Sequence, residues 1–362
     1  MSTTYLFGGY GYDAAGNEGY LSDLWALNAS SATWRFVGGP RVVNKPNTAQ
    51  WPGARHYAAY AHDRRGLGFY LFSGQGVAGD ALLDDWWRLD LRTMQWRLLG
   101  NYSTSAPGSS PAPRKWASFW AAADALVVLG GEVNVTGDYG QELNDMWAFS
   151  FSSHRWSKLY DRQDDLNGKY TGAVQWPGAR HNAFTTTASD GQLWMFGGSG
   201  HGATEGGTLS DTWRWNGTAW HFEGGNPGGV DQVGVCSVRG ALNASALPTA
   251  RHAGYNFDRP APNGRMLLLG GEHHDPALKV FNDIWSHELR GGGKWAFEAG
   301  DCNAFNVPNA STPLPPGQAG AQVKPASVYG GNGWSDAHTR TSWAFGGGPE
   351  AGYISALWKI QW

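Results

Sequence analysis

The sequence predicts an all-β fold built from about six copies of one four-stranded unit. The triplet Asp-x-Trp recurs at intervals of 60 to 73 residues, and each copy follows an apolar run that ends in small residues. The copies are Asp23-Leu24-Trp25, Asp85-Trp86-Trp87, Asp145-Met146-Trp147, Asp211-Thr212-Trp213, Asp283-Ile284-Trp285 and, with the Asp lost, Ala356-Leu357-Trp358. A period of this size indicates one repeated supersecondary unit.

Four segments follow one another in a fixed order in each unit. The first opens with Pro-x-x-Arg, the second ends in a small-residue doublet, the third carries Asp-x-Trp, and the fourth holds a further Trp. The doublets are Gly8-Gly9, Ser73-Gly74, Gly130-Gly131, Gly197-Gly198 and Gly270-Gly271, and the fourth-segment tryptophans are Trp34, Trp96, Trp156, Trp220 and Trp295. Short aromatic and apolar segments bounded by Gly, Pro, Asn and Asp are typical of strands. We therefore predict antiparallel β-propeller blades and very little helix.

The glycine doublet, the downstream aromatic residue and the second Trp resemble kelch repeats over almost the whole chain. The resemblance implies a kelch-type β-propeller of about six blades of four antiparallel strands. The spacing exceeds the roughly 50 residues usual for kelch, partly because long loops separate the later units. We predict a single domain over 1–362, with units at about 1–51, 52–110, 111–176, 177–247, 248–324 and 325–362.

The repeated glycine, tryptophan and aspartate residues also have expected structural roles. Glycine suits a crowded turn with positive φ, and the tryptophans are expected to fill the wedge between neighbouring blades. The repeated Asp is expected to bond local backbone rather than a metal.

The two ends of the chain predict incomplete blades. The chain begins at the second strand of its first unit and stops four residues past Trp358, and Val328 stands where other units have Arg. We therefore expect the first blade to lack its innermost strand and the last blade its outermost. We also expect the chain to be a fragment of a longer protein.

Composition argues against two classes of partner. The net charge is −3 and 16% of residues are charged, so no basic surface for nucleic acid is expected. No run of about 18 apolar residues occurs, so this segment is not expected to insert into a membrane.

Sequons and cysteines favour a secreted or cell-surface glycoprotein. Cys236 and Cys302 lie in loops after the fourth strand of consecutive units, and we predict that they form a disulfide, two free thiols being the alternative. A cytoplasmic location stays open, because Asn and Ser favour turns in any protein. The candidate glycosylation sites are Asn28, Asn101, Asn134, Asn216, Asn243 and Asn309.

The arginine series is the leading candidate for a ligand site. Its members are Arg55, Arg114, Arg180 and Arg251, which are followed by His56, Lys115, His181 and His252 respectively. Guanidinium groups at a channel mouth suit carboxylates. In some intracellular kelch modules the matching Arg binds acidic peptides, and the resemblance implies the same role here. The alternative is structural: each Arg bonds interblade carbonyls or the repeated Asp.

Metal and catalytic motifs are weak in this chain. His201 and the run His273-His274-Asp275 lie in loops after glycine doublets, and Glu132 and Glu272 are expected to cap those turns. Kelch-type propellers include a copper oxidase, a sialic-acid epimerase and iron-dependent specifier proteins, but both cysteines here lie in outer loops and the iron-binding string is absent. We predict no cofactor and no catalytic residue. The predicted function is a scaffold that binds another protein or a glycan through loops on one face, an enzyme of oxidase, epimerase or lyase type being the alternative.

Overall fold

A computed structural model describes residues 3–29, 31–63, 66–77, 81–133, 141–160, 176–203, 205–226, 228–273, 278–290, 292–302, 329–336, 339–348 and 357–362. The fold class is confirmed as an all-β propeller with six blades. The chain divides into two compact units, Met1–Gln163 and Asp164–Trp362, with three blades in each. The described residues include one 3-10 turn, Tyr102–Thr104, and no helix with the length and apolarity of a membrane span.

Unit 1 holds blades 1, 2 and 3. Its described strands are β1 Thr3–Tyr12, β2 Glu18–Asn28, β3 Thr33–Gly38, β4 Arg55–His56, β5 Ala59–His62, β6 Gly68–Phe72, β7 Gln75–Gly76, β8 Asp85–Asp90, β9 Gln95–Asn101, β10 Ser118–Ala121, β11 Ala125–Leu129, β12 Glu132–Val133, β13 Gln141–Glu142, β14 Met146–Ser150 and β15 Trp156–Tyr160. Blade 1 has the order β1-β2-β3, blade 2 β5-β6-β8-β9 and blade 3 β10-β11-β14-β15. The short pairs β4-β7 and β12-β13 extend blades 2 and 3 beyond the doublet.

Unit 2 holds blades 4, 5 and 6. Its described strands are β16 Arg180–His181, β17 Phe184–Thr187, β18 Leu193–His201, β19 Gly206–Trp215, β20 Trp220–Gly224, β21 Asn256–Phe257, β22 Met266–Leu269, β23 Glu272–His273, β24 Lys279–Val280, β25 Ile284–His287, β26 Trp295–Ala299, β27 Tyr329–Asp336, β28 Thr341–Gly348 and β29 Leu357–Gln361. In blade 4, β16 and β17 both pair with β18, which is followed by β19 and β20. Blade 5 has the order β22-β25-β26, extended by β23-β24. Blade 6 has β27-β28-β29, and β21 adds to its sheet at the β27 edge.

The Asp-x-Trp motifs occupy equivalent positions in five blades, as predicted. In each, the Trp pairs across the sheet with the middle residue of the preceding apolar run. The same strand also pairs with the fourth strand of the blade. In that pairing a register shift occurs immediately before the Trp. The paired residues are Leu6 and Trp25, Leu71 and Trp87, Val128 and Trp147, Met195 and Trp213, and Leu268 and Trp285.

The first and last blades are incomplete among the described residues, as predicted. β1 is an edge strand of blade 1, and β29 is an edge strand of blade 6. Blade 5 differs from the expected four strands, because its first segment meets β22 only through the bridge between Tyr255 and Leu269. That segment is shared with its neighbours: Asn256 accepts hydrogen bonds from Thr185 of blade 4, and β21 pairs in parallel with β27 of blade 6.

Tryptophans of the fourth strand pack against the preceding blade, which confirms the wedge prediction for these blades. Each one meets a Phe from the second strand of that blade, with ring centroids 4.8 to 4.9 Å apart. The pairs are Phe7 with Trp96, Phe72 with Trp156, and Phe196 with Trp295. Because an aromatic pair buries a large apolar area, these contacts join neighbouring blades within each unit.

The predicted disulfide is present in unit 2. Cys236 and Cys302 are bridged, with Cα atoms 6.1 Å apart. The bridge joins the loop after β20 to the loop after β26, so it links blade 4 to blade 5.

Removing this bridge is expected to lower the free energy of unfolding by at most about 4 kcal/mol, because the closed loop is long and surface bridges often contribute less than chain entropy predicts. The measurement is chemical denaturation of the Cys236→Ala, Cys302→Ala double variant beside the oxidised and reduced parent protein. The variant and the reduced parent should agree. A parent protein whose stability is unchanged on full reduction would contradict the expectation.

Candidate functional site

Each arginine of the series pairs with the Asp-x-Trp carboxylate of its own blade. In blade 4, Arg180 Nη1 donates to Asp211 Oδ1 at 2.6 Å and Nη2 donates to Oδ2 at 2.8 Å. The two motifs lie about thirty residues apart, and the strand pairing of the blade brings them together. The same bidentate pair recurs as Arg55 with Asp85, Arg114 with Asp145, and Arg251 with Asp283.

Each guanidinium also donates to backbone carbonyls of its own blade. Arg180 Nε donates to the Gly178 carbonyl at 3.1 Å, and Nη1 donates to the Gly197 carbonyl at 2.9 Å. Trp213 Nε1 donates to Asp211 Oδ2 at 2.6 Å. Equivalent contacts recur in the other three blades. The repeated Arg, Asp and Trp therefore form one hydrogen-bonded triad per blade.

Burial decides which interpretation of the arginines the geometry favours. All four side chains are at most 1% exposed, although they were expected to line a channel mouth. Their planar donors are used inside the blade, as the structural alternative predicts. Ligand binding by the four arginines stays a prediction that these contacts do not favour.

The pKa values of the triad carboxylates depend on the arginine. Burial acts to raise the pKa of Asp85, but the charge and hydrogen bonds of Arg55 outweigh it and hold the pKa below its ordinary value. The pKa of Asp145 is lowered in the same way by Arg114. In blade 1, Asp23 accepts from Trp25 Nε1 at 2.7 Å but has no arginine among the described residues, and burial raises its pKa.

The residues that follow the arginines face different neighbours in each blade. Lys115 Nζ lies 3.1 Å from Glu132 Oε1, and His252 Nδ1 lies 3.6 Å from Glu272 Oε1. Both carboxylates thus face the residue after the arginine. Turn capping by Glu132 and Glu272 stays a prediction. The His181 and His252 rings lie 6.1 Å apart in unit 2.

The candidate metal residues are only partly described. His273 is buried, with Nδ1 3.1 Å from the Ala250 carbonyl oxygen and 3.8 Å from Asp231 Oδ1. His274 and Asp275 lie outside the described residues. In the described part of the chain, no three His, Cys, Asp or Glu side chains are grouped as metal ligands.

A cluster of aromatic side chains lies beside the arginines of unit 1, and we call it the aromatic surface. Its members are Tyr10, Tyr20, His56, Tyr57 and Trp116. The His56 and Tyr57 rings stack at 3.6 Å, and Tyr57 lies 5.1 Å from Trp116. The rings of Tyr10 and Tyr20 lie 5.8 and 4.8 Å from His56. The sequence analysis identified only His56 of these residues.

The residue two positions after each arginine has a left-handed backbone conformation. Its φ is 58° at Tyr57, 59° at Trp116, 53° at Asn182 and 54° at Ala253. This conformation is uncommon for bulky residues and costs about 1–3 kcal/mol. Blades 4 and 5 form the same turn with Asn and Ala, so the turn itself does not require an aromatic residue. The aromatic residues of blades 2 and 3 therefore need another explanation. Their constant spacing from Pro-x-x-Arg is the sequence signal that could have identified them.

Residues 1–174 match the family model described as the KLHDC2/KLHL20/DRC7 Kelch-repeats domain. The first 174 residues are therefore similar to a kelch-repeat domain. The predicted resemblance is thereby confirmed. The aromatic surface and two of the four triads lie in this kelch-repeat segment, and blades 4 and 5 repeat the same triad contacts beyond it. A search of curated proteins found no match to the chain.

Glu272 is expected to make the stability of the protein depend on pH. Burial raises the pKa of Glu272 to about 7 from the ordinary value of 4.5. Between these values the folded protein holds a proton that the unfolded chain has lost. Its contribution is therefore fully present below about pH 4.5 and is lost as the pH rises through 7, by at most roughly 3 kcal/mol. The measurement is the free energy of unfolding from pH 5 to 8.

Glu272→Gln provides the control for this prediction. The parent protein should lose stability relative to the variant as the pH rises over this range. Burial also lowers the pKa of His287 to about 3, which destabilises the fold as the pH falls below 6.5, but this contribution is common to both proteins and cancels in the difference. Parallel pH profiles for parent and variant would contradict the assignment.

Proposed function

We propose that this chain is a protein-binding kelch propeller that contacts its partner through the aromatic surface of unit 1. The observation that carries the proposal is the placement of Tyr57 and Trp116 on turns that blades 4 and 5 make with Asn182 and Ala253. The turn itself therefore does not require these aromatic residues, which supports a role for them in recognition.

The chemistry of this surface suits a protein partner. Tyrosine, tryptophan and arginine dominate the binding energy of protein interfaces, where they bury a large apolar area and keep a polar edge. Tyr57 is 41% exposed. Lys115 Nζ lies 4.1 Å from the centroid of the Trp116 ring, so a cation borders the apolar surface. We expect the partner to present an aromatic or aliphatic side chain to this surface, with polar groups around it.

Replacing Tyr57 and Trp116 with Asn is expected to weaken partner binding at least tenfold, since interface hot spots cost about 2 kcal/mol or more. Asn tolerates the left-handed turn and already occupies it at position 182, so the melting temperature should change little. The measurement is quantitative affinity capture from a secreted or membrane protein fraction, followed by titration of the captured partner.

Tyr102→Ala is the matched control, because Tyr102 is a tyrosine of blade 2 with the same 41% exposure and lies outside the aromatic surface. A partner that binds the Tyr57→Asn and Tyr102→Ala variants equally well would exclude this surface. Competition by a free glycan would instead indicate the glycan class of partner.

We also propose that the protein is secreted or exposed at the cell surface. Disulfides persist mainly in oxidising compartments, and unit 2 carries one. Asn216 and Asn243 are exposed and have the sequon sequence. Asn28 and Asn101 are half-buried at strand ends, and Asn134 and Asn309 lie outside the described residues. A mass loss on endoglycosidase treatment of the protein from its native source would support this location, and an unmodified, reduced protein would contradict it.

A further inference from the structure

The aromatic surface is a continuous row of rings, and its shape restricts the class of ligand. We propose that it binds an extended, proline-rich segment of the partner protein in the polyproline II conformation. This inference rests on the function proposed above and adds the chemistry of the ligand. The expected motif is Pro-x-x-Pro, because a polyproline II helix has three residues per turn and places every third side chain on one face.

The rings of the aromatic surface contact one another. His56 stacks on Tyr57 with centroids 3.6 Å apart, and Tyr57 lies 5.1 Å from Trp116. On the other side of His56, the Tyr20 ring lies 4.8 Å from it and 5.2 Å from Tyr10. These separations are those of rings in direct contact, so an ammonium group cannot stand between neighbouring rings as it does in an aromatic cage. The ligand must therefore lie across the row.

The β1-β2 hairpin extends the row toward the hairpin tip. Tyr10 and Tyr12 are two residues apart in β1 and pair with Tyr20 and Glu18 of β2, so the two tyrosines lie on one face. Tyr12 is 60% exposed. Strand rise and ring spacing give the row from Tyr12 to Trp116 a length on the order of 20 Å. A polyproline II segment rises about 3.1 Å per residue, so about six residues cover the row.

The loop after β3 holds the opposite face and the β2 edge of this hairpin. A Cβ on Gly19 would lie 2.7 Å from the Asn44 side chain, so the two are in close contact. Asn44 N donates to the Tyr20 carbonyl at 2.8 Å, and Asn44 Oδ1 accepts from Tyr20 N at 2.9 Å. At the tip, Asp13 Oδ2 accepts from Val43 N at 3.3 Å. The tyrosine face is therefore fixed before a ligand binds, which lowers the entropy cost of binding.

The charges beside the surface do not suit an acidic or phosphorylated motif. Lys115 lies on the Trp116 ring, and its Nζ is 3.1 Å from Glu132 Oε1. Arg55 and Arg114 are buried and bonded to the Asp of their own blades. Recognition of acidic motifs relies on cations that face the ligand, and these three are paired within the protein. An uncharged segment therefore suits the surface better.

Proline-rich segments have the properties that such a surface needs. They dock on aromatic side chains, and their polyproline II conformation is formed before binding, so little conformational entropy is lost. A polyproline II helix has no internal hydrogen bonds. Its carbonyl oxygens can therefore accept hydrogen bonds from the polar edges of Tyr and Trp while the proline rings cover the aromatic faces.

The test uses the full 362-residue chain and fluorescein-labelled peptides of three, six or nine prolines between Gly-Ser flanks. Fluorescence anisotropy measures the dissociation constants. The six-proline peptide should bind saturably, the nine-proline peptide should bind about as tightly, and the three-proline peptide should bind about tenfold more weakly, because it covers half of the row. A peptide with six residues of alternating Gly and Ala between the same flanks is the control and should not bind.

Three variants locate the binding site of the six-proline peptide. The Tyr57→Asn, Trp116→Asn double variant should bind it about tenfold more weakly or worse, as expected for the loss of two aromatic contacts. Tyr12→Ser should also weaken binding, which would show that the row reaches the hairpin tip. Tyr102→Ala should bind like the parent protein. Melting temperatures of all variants establish that each one is folded before binding is compared.

Several outcomes would overturn the proposal. These are no binding of the six-proline peptide at millimolar concentration, equal binding of the proline and Gly-Ala peptides, or equal binding to the parent protein and the double variant. A captured partner that needs Tyr57 and Trp116 but is displaced only by an acidic or phosphorylated peptide would leave the protein-binding function in place and show that the ligand class is wrong. A partner that binds the double variant as well as the parent would exclude the aromatic surface itself.

Discussion

The Arg251→Ala variant is expected to lose about 3 to 5 kcal/mol of its free energy of unfolding. The substitution leaves the Asp283 carboxylate buried without its cation, and removing one partner of a buried ion pair typically costs this much. Arg251 and Asp283 are both 0% exposed, so water cannot replace the lost charge. Chemical denaturation followed by tryptophan fluorescence measures the change, since Trp285 belongs to the same triad.

Arg265→Ala is the matched control for this prediction. Arg265 also pairs with a carboxylate of its own blade, Glu298, but the two side chains are 25% and 19% exposed. Exposed pairs contribute about 0 to 1 kcal/mol, so this variant should stay close to the parent protein. Replacing Arg251 and Asp283 together with Met and Leu should recover much of the loss, because no uncompensated charge remains.

The same variants test the two interpretations of the arginine series. The structural interpretation is wrong if the Arg251→Ala variant has nearly the same unfolding midpoint in denaturant as the parent protein and binds a partner more weakly. The arginines would then act as ligand-binding residues. A large loss of stability shared by the equivalent Ala variants of Arg55, Arg114 and Arg180 would establish the triad as a repeated structural element.

The Gly197→Ala variant is expected to lose more than about 3 kcal/mol. Gly197 is the first residue of the doublet in blade 4 and has a φ of 64°. An added Cβ would lie 2.5 Å from the Arg251 carbonyl oxygen and 3.0 Å from that of Leu209, and both are backbone atoms that cannot rotate away. Overpacking against fixed atoms adds to the cost of a left-handed alanine. Thermal and chemical unfolding would measure the loss.

Gly264→Ala separates steric clash from backbone conformation. Gly264 has a similar φ of 79°, but no described atom lies within 4 Å of an added Cβ. Its replacement should cost only about 1 kcal/mol. Equal losses at Gly197 and Gly264 would mean that the conformation alone requires glycine. A larger loss of stability at Gly197 would show that the close approach of the next blade is what requires glycine in the doublet.

Local sequence was sufficient to predict the blades. The apolar run, the doublet and Asp-x-Trp are short-range patterns, and their repetition predicted the strands and the equivalence of Trp87 and Trp147 before any contact was known. The disulfide was partly predictable for the same reason, because Cys236 and Cys302 occupy corresponding loops of consecutive units. Their separation of 6.1 Å between Cα atoms depends on how those loops fold.

Tertiary structure decided the partners of the side chains. Arg180 and Asp211 were both recognised as repeated residues, but their pairing depends on the fold of the whole blade. Burial distinguishes a structural arginine from a ligand-binding arginine, and burial is a property of the packed blade. The left-handed turn at Tyr57 and the sharing of Asn256 between blades likewise arise from backbone geometry. Sequence pattern determined the repeating unit because strand propensity and periodicity are local. Burial and partner choice result from contacts between residues far apart in the chain, so only the tertiary structure could determine them.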